Sequence, residues 1–522
     1  MRDSPPLGAA AVADVRRYLP ILVGLVLLAG ATPATAAPLA SGPTLAGADP
    51  GSPTEVAVTV ANASGAAAAR SHGSLVARDD DRLLIATDAA IDAIAAEPGV
   101  TRVARPRRPF PTAISEGVEA VNATSVKADG ITGEGVDVGV IDSGFDVDHP
   151  EIRDAVADHT SFAGGIEEGG VEHGTQAAEL VNDVAPDADL YLANIDSSIG
   201  YGDAVDWMES QGVDVVTMSL TFYGTPGDGT GDVSQTAEEA AENGVVVLAA
   251  AGNAANRHFQ RPFEDGDGDG WMEWSGGQEF NVPLARDGDP TISGPFDAVL
   301  TWNDWPQSTN DYDLYLIDDA TGDVVASSES PQSGSFPPVE RIRVGDLPAG
   351  EYRIQVENYD ASGAHTMELY TPSHDLSIAD PESSMGAPAV ARSAITTGAF
   401  DVGTGILEDF SSRGPTNDGR RGLDVIAPDG VSTAAGSGPF YGTSAATPHV
   451  AGVAALVRDV APSATVDETA AAINDTARDL GPSGPDTETG HGKVDAWRAV
   501  QRLRSGVGPS AAFTYSPTAP RV

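Results

Sequence analysis

The chain is 522 residues long, enough for more than one hydrophobic core, and 41% of it is apolar, so its acidity is not that of a disordered polymer. Asp and Glu number 77 against 29 Lys and Arg, a net charge of −48 that excludes nucleic acid and anionic membranes as natural partners. Cysteine is absent, which excludes disulfides and any thiolate nucleophile or thiolate metal site. Lys127 and Lys493 are the only lysines. An acidic, lysine-poor surface fits a protein working at high salt, where charge repulsion is screened within about 3 Å at 1 M.

Residues 1–37 read as an export signal. Arg16-Arg17 precede an apolar run from Leu19 to Leu28, and Ala34-Thr35-Ala36 offers small residues for cleavage. A twin-arginine route and an ordinary secretory route both fit. Pro20 and Gly24 break the run, which is too short to span a membrane. The mature chain is therefore expected outside the cell, without a membrane span. Residues 38–70, rich in Ala, Gly and Ser, read as a linker or a poorly patterned start. Leu83 to Ala86 then reads as a strand, Asp88 to Ala96 as a helix capped by Asp88, and Val100 to Val103 as a second strand. A Pro/Arg-rich joint, Arg105 to Pro111, follows.

Gly135 to Asp142 reads as a strand, with Val136, Val138 and Val140 alternating before Ile141 delivers Asp142 to its end. An acid there is either a turn residue before Gly144 or a functional group at the carboxyl edge of a parallel sheet. Asp146 and Asp148 are loop acids or a cation site. His173 opens a helix carrying Ala177, Ala178, Val181 and Val184. A His before Gly is ordinarily a surface residue, but beside an acid it is a candidate base, able to pass a proton both ways near neutral pH. Ala185 to Ile195 gives a turn and a strand, Ala204 to Gln211 a helix, Val213 to Leu220 a strand, Ala237 to Asn243 a helix, and Val245 to Ala251 a strand running into Gly252-Asn253. Asn253 reads either as a left-handed turn residue or as a side-chain donor.

Residues 257 to about 380 change character. Ala298–Asp304, Tyr312–Asp318, Val324–Ser328, Glu340–Val344, Glu351–Glu357 and Met367–Tyr370 are short alternating or aromatic-rich runs, the pattern of a β-sandwich. They are expected to form a separate lobe with its own core. Near its start, Asp265, Asp267, Asp269 and Glu273 stand at positions 1, 3, 5 and 9 of a calcium-loop spacing with Gly270 at 6, although Gly276 replaces the acid at 12. Structural calcium or a solvated Asp-Gly turn are the two readings. Gly442-Thr443-Ser444 then opens a helix of small residues with Val450, Val453, Leu456 and Val457 on one face. Ser444 is either a helix cap or a nucleophile set among backbone N–H groups that hold an oxyanion.

Taken in order, Val140-Ile141-Asp142-Ser143-Gly144, Glu172-His173-Gly174-Thr175, Ala249-Ala250-Ala251-Gly252-Asn253 and Gly442-Thr443-Ser444-Ala445-Ala446-Thr447-Pro448-His449 resemble the segments around the acid, base, oxyanion Asn and nucleophile of the subtilases, the subtilisin-like serine proteases. The resemblance implies a doubly wound α/β catalytic domain with a parallel sheet, divided as 115–256 and 381–505 around the insert at 257–380. It implies Asp142, His173 and Ser444 as the triad and Asn253 as the oxyanion donor. Polypeptide substrates would pair along Ser219-Leu220-Thr221 and lie against Ala250 and Gly252. Residues 38–114 resemble the family's propeptide region, an inhibitor of its own enzyme, with self-processing expected between Arg105 and Ser115. Asp311 to Leu316 and Leu347 to Tyr352 resemble the bacterial pre-peptidase C-terminal type of module, and 506–522 the opening of a PKD-type repeat. Two departures stand out. Gln176-Ala177 follows His-Gly-Thr, and Thr221 replaces the usual Gly of Ser-Leu-Gly. The competing readings are a calcium-dependent surface or adhesion protein, a catalytically inactive scaffold, and a peptide-cyclising relative.

Overall fold

A computed structural model describes residues 54–79, 82–87, 91–104 and 115–504. The expected export signal at 1–37, the Pro/Arg-rich joint with most of the expected processing window, and the tail at 506–522 lie outside the described residues. The chain divides into two compact units, one reaching Val103 and the other beginning at Ala104.

The first unit is a four-stranded sheet in the order Ser74–Asp79, Arg82–Thr87, Thr54–Val60, Val100–Ala104, with helices Ala63–Arg70 and Ile91–Ala95. Its core gathers Val58, Val60, Ala66, Ala69, Leu83, Ile85 and Ile94. The region read as a linker or a poorly patterned start is thus a regular strand and helix from residue 54 onward. Val56, Val58 and Val60 alternate as a strand, and the Asn62 side chain accepts from the N–H groups of Ser64 and Gly65, capping a helix of alanines.

The second unit is built on a seven-stranded parallel sheet. Its order is Val425–Asp429, Ile395–Asp401, Val246–Ala250, Val215–Met218, Asp137–Asp142, Asp189–Asn194, Val156–Ser161. The central strands are buried along their whole length, as parallel strands covered on both faces must be. Helix Thr443–Val460 is buried from Thr443 to Arg458, not along one face only. Its small residues permit this: a Cβ at Gly452 would come within 2.5 Å of the Val184 Cβ on helix Val171–Val184. Pro448 falls in the second turn and is accommodated.

The insert is a separate six-stranded antiparallel sheet in the order His258–Pro262, Thr366–Tyr370, Thr291–Trp302, Val339–Asp360, Asp311–Asp318, Val324–Ser328. The two runs read at 340–344 and 351–357 are one strand of 22 residues. Its first part pairs with Thr291–Thr301 and its second with Asp311–Asp318. Leu347-Pro348-Ala349-Gly350 bends rather than ends it, because register shifts at Gly294 absorb the irregularity in its partner. Phe259, Trp274, Phe296, Trp302, Tyr312 and Tyr352 lead a core of its own.

Candidate active site

Strand Asp137–Asp142 ends in a fully buried carboxylate. Asp142 Oδ1 accepts from the Ser143 N–H at 2.7 Å and the Ser143 hydroxyl at 3.1 Å, and faces His173 Nδ1 at 2.7 Å. His173 is the third residue of helix Val171–Val184, with its ring edge-on to Phe440 at 5.2 Å. Burial pushes its pKa down, but the charge and hydrogen bond of Asp142 push it up further, and it ends above its ordinary value. Such a pair holds one imidazole tautomer, with Nε2 left to accept a proton.

Ser444 stands in the first turn of helix Thr443–Val460. Its hydroxyl donates to the Ser219 carbonyl at 3.0 Å, while the Ser219 hydroxyl donates back to the Ser444 carbonyl at 2.9 Å. Among the described residues no hydrogen bond joins Ser444 to His173. This reciprocal lock ties the nucleophile candidate to the start of the expected substrate edge, a pairing that motif spacing does not signal.

Asn253 follows Gly252, whose φ of 100° suits the turn out of strand Val246–Ala250. Asn253 Oδ1 accepts from the Thr443 N–H at 3.0 Å, so the amide nitrogen turns the other way as a donor. Gly442, at φ 95°, makes room for it: a Cβ there would lie 2.9 Å from Asn253 Nδ2. The geometry sets the Asn253 side chain against Gly442 and Thr443, the two residues directly before Ser444.

Acidic residues, unremarked as site groups from sequence, hold the approach to Ser444. Glu179 accepts from the Ala435 and Ala434 N–H groups, Glu172 from that of Ser437, and Glu116 from that of Ser432. Gln176, the departure from the family pattern, donates to Thr433 Oγ1 at 2.8 Å and so belongs to the same clamp. Asp429 accepts from the Gly442 N–H at 2.8 Å; burial, with Glu408 and Asp401 nearby, pushes its pKa up to about 7 despite that bond. His449, in the second turn of helix Thr443–Val460, is fully buried, and burial pushes its pKa down to about 4.

The expected substrate edge meets the insert. Phe222 exchanges backbone hydrogen bonds with Ala387, where the chain re-enters the catalytic domain just past the insert, at 2.8 and 3.0 Å. Tyr223 stacks on Tyr370, ring centroids 4.3 Å apart. Burial pushes the Tyr223 hydroxyl up to about 12, against the opposing effects of Arg257 and the Asn253 backbone N–H. The insert has its own core but does not stand clear of the catalytic sheet.

Asp265, Asp267 and Asp269 come together, each offering an oxygen within 4.8 Å of the others, and could hold a metal ion. Glu273 does not join them; it accepts from the Gly266 N–H at 3.0 Å. The loop lies against the far end of the insert's long strand, where Asn358 N–H donates to the Gly270 carbonyl at 2.8 Å, rather than at the joint with the catalytic sheet. Asp146 and Asp148 cap their own loop, the Asp148 N–H donating to Asp146 Oδ1 at 3.2 Å.

A sequence model described as the subtilase family matches residues 133–270 and 368–492, about half the chain, and breaks across the insert. Subtilisin DY of Bacillus licheniformis is 32% identical over 161 residues, 28% of this chain and 57% of that protein. The minor extracellular protease Vpr of Bacillus subtilis (strain 168) is 25% identical over 408 residues, 67% of this chain and 48% of that protein. The chain thus spans about half the length of the curated relatives it matches. The CspB protease of Clostridium perfringens shares the fold, with a TM-score of 0.55 at 17% identity over 75% of this chain and 98% of that one. No helix among the described residues is long and apolar enough to cross a membrane.

Proposed function

Since this chain belongs to the subtilase family, we propose that it is a secreted serine endopeptidase whose triad is Asp142, His173 and Ser444. The observation that carries this reading is the 2.7 Å hydrogen bond between the buried Asp142 and the part-exposed His173, on the same sheet edge as Ser444 and Asn253. Asp142 orients His173, whose Nε2 takes the Ser444 proton as Oγ attacks the peptide carbonyl. A substrate strand laid along Ser219-Leu220-Thr221, against Ala250 and Gly252, brings its own N–H groups to the Ser219 carbonyl. It thereby competes with the Ser444 hydroxyl for that acceptor and releases it toward His173. The Asn253 amide and the Ser444 backbone N–H stabilise the oxyanion, and His173 returns its proton to the leaving amine.

The finer parts of the reading are export, a self-inhibiting propeptide within 38–114, adaptation to high salt, and structural calcium. Asp265, Asp267 and Asp269 would hold the ion; the neighbouring Glu279 carboxyl has its pKa raised chiefly by the charge of Asp269, with desolvation and the charges of Asp267, Glu273 and Asp265 adding to it, so the loop concentrates negative charge as a cation site should. Bound calcium would supply charge neutralisation and rigidity there. The test is casein hydrolysis by the full chain and its Ser444→Ala variant, with N-terminal sequencing of both. The parent should cleave casein and shorten its own N-terminus, and the variant should do neither. Equal hydrolysis by both would end the reading.

A further inference from the structure

We propose that Tyr223, clamped by the insert's Tyr370, closes the pocket for the side chain preceding the cleaved bond, so that the protein cuts after small residues such as Ala, Ser and Gly. This rests on the endopeptidase reading and says which bonds it selects. Strands Val215–Met218 and Val246–Ala250 are neighbours in the parallel sheet, and their extensions, 219–223 and 251–253, flank Ser444. A peptide carbonyl held between Ser444 and Asn253 directs its own residue's side chain into the space between those extensions.

That space is already filled. A Cβ at Gly252 would meet the Tyr223 hydroxyl at 2.9 Å and Thr221 Oγ1 at 3.6 Å. From the other side, a Cβ at Gly386 would meet Thr221 Cγ2 at 2.5 Å and Tyr223 Cδ1 at 3.1 Å. Thr221 and Tyr223 thus press on both glycines, together with Ser412 Oγ at Gly252 and the Phe222 carbonyl at Gly386. An aromatic side chain needs room for a ring that buries about 150–250 Å², and would enter only if Tyr223 swung out.

The insert prevents that movement. Tyr370 lies flat on Tyr223, with 27° between the rings. Its hydroxyl donates to Glu368 Oε1 at 2.8 Å and approaches the Met385 carbonyl at 3.2 Å. Glu368 in turn accepts from Asn417 at 3.3 Å and lies 3.4 Å from the buried His258. A Cβ at Gly224 would meet Val299 at 2.8 Å, so the loop beyond Tyr223 is also pressed against the insert.

The test is a series of peptide p-nitroanilides ending in Ala, Ser, Leu or Phe, run on the full chain, with mass-spectrometric detection of phenylmethanesulfonyl fluoride on Ser444. The parent should be labelled and should favour Ala over Phe in kcat/KM by about 100-fold, the scale on which a pocket rejects a side chain it cannot hold. Tyr223→Ala should raise the Phe-to-Ala ratio by about 30-fold, and Tyr370→Ala, which only unclamps the ring, by about 5-fold. Tyr223→Phe, which keeps the ring, should leave the ratio where it was. If Tyr223→Ala does not fold, the parent profile and Tyr370→Ala still decide. A labelled parent that cuts after Phe as fast as after Ala overturns the pocket assignment and leaves the endopeptidase reading standing. An unlabelled chain that cuts nothing overturns the reading beneath both.

Discussion

The catalytic sheet and the insert bury their strands by different rules. Val215–Met218, Val246–Ala250 and Val425–Asp429 are buried at every position, so side chains leave the parallel sheet for chemistry only where strands end. The insert's long strand alternates buried and partly exposed residues along much of its length, one face on its own core. The first arrangement concentrates Asp142, Ser219, Asn253 and Asp429 on one edge; the second leaves a face free to press on a neighbour. The insert should therefore influence which substrates are accepted and how stable the molecule is, while the catalytic sheet carries the bond-making.

The sharpest way to break that division is to remove the nucleophile. Ser444→Ala should lower kcat on large and small substrates alike by about 10⁶-fold, the scale on which subtilisin itself loses kcat without its nucleophile. Asn253→Ala should lower kcat by about 10²–10³-fold with KM little changed, again the range of subtilisin's own oxyanion Asn. An unchanged kcat would remove Asn253 from the oxyanion site. A loss confined to large substrates would place the effect in the insert's territory and erase the distinction.

Smaller effects should follow from the insert's acidic loop. Chelation, or Asp267→Ala together with Asp269→Ala, should lower Tm by several degrees, about what a loss of 1–2 kcal/mol does to a domain of this size. Hydrolysis of small esters below that temperature should continue, since the loop packs on Asn358 and not on the triad. Calcium binding by the double variant as tight as by the parent would reduce the loop to a solvated turn. Raising salt above about 0.5 M should increase Tm for parent and variant alike, because the net charge of −48 is spread over the whole chain. Full stability in dilute, calcium-free buffer would sink the salt reading.

The two regions were also unequally legible. Asp142, His173, Asn253 and Ser444 were singled out because each is embedded in a short local pattern, and the positive φ at Gly252 and Gly442 shows the backbone requirement behind two of these patterns. The parallel strands were legible for the same reason, as apolar runs. Tyr223 and Tyr370 have no local signature; their contact exists only once the insert folds back on the substrate edge. The Glu172, Gln176 and Glu179 clamp was hidden in a chain where acids are everywhere, although their three- and four-residue spacing puts them on one helix face. Strand Thr54–Val60 was masked by the small-residue composition around it, and Pro348 and Gly350 made one long strand look like two.

The smallest and most selective effect concerns pH, where the catalytic region contains two opposing tendencies. His173 has its pKa raised above 6.5, so kcat/KM should climb with pH through a value above 6.5 as the base loses its proton. Asp429 is fully buried, with Oδ2 on the Gly442 N–H and the Glu408 carboxyl within hydrogen-bonding reach of its protonated form, and its pKa stands at about 7 against an ordinary 3.8. Burial likewise pushes Asp183, which accepts from the Ser115 N–H at 3.0 Å, up to about 7. A carboxyl whose folded pKa is raised contributes stability that is complete below its unfolded value and is lost as pH rises through the folded one. Tm should therefore fall between about pH 4 and about pH 7, mostly below the range where activity rises, with each such group contributing at most about 1.4 kcal/mol per pH unit. Asp429→Asn keeps an acceptor for Gly442 and cannot ionise, so its Tm should decline less steeply with pH while kcat/KM still climbs through the His173 transition. Asp183→Asn should flatten the decline separately, because the two acids lie in different parts of the fold and have different neighbours. A Tm slope in Asp429→Asn identical to the parent's would mean that this carboxyl does not change charge in that range. The opposing trends would then come from the surface rather than from the strand edge that carries Ser444.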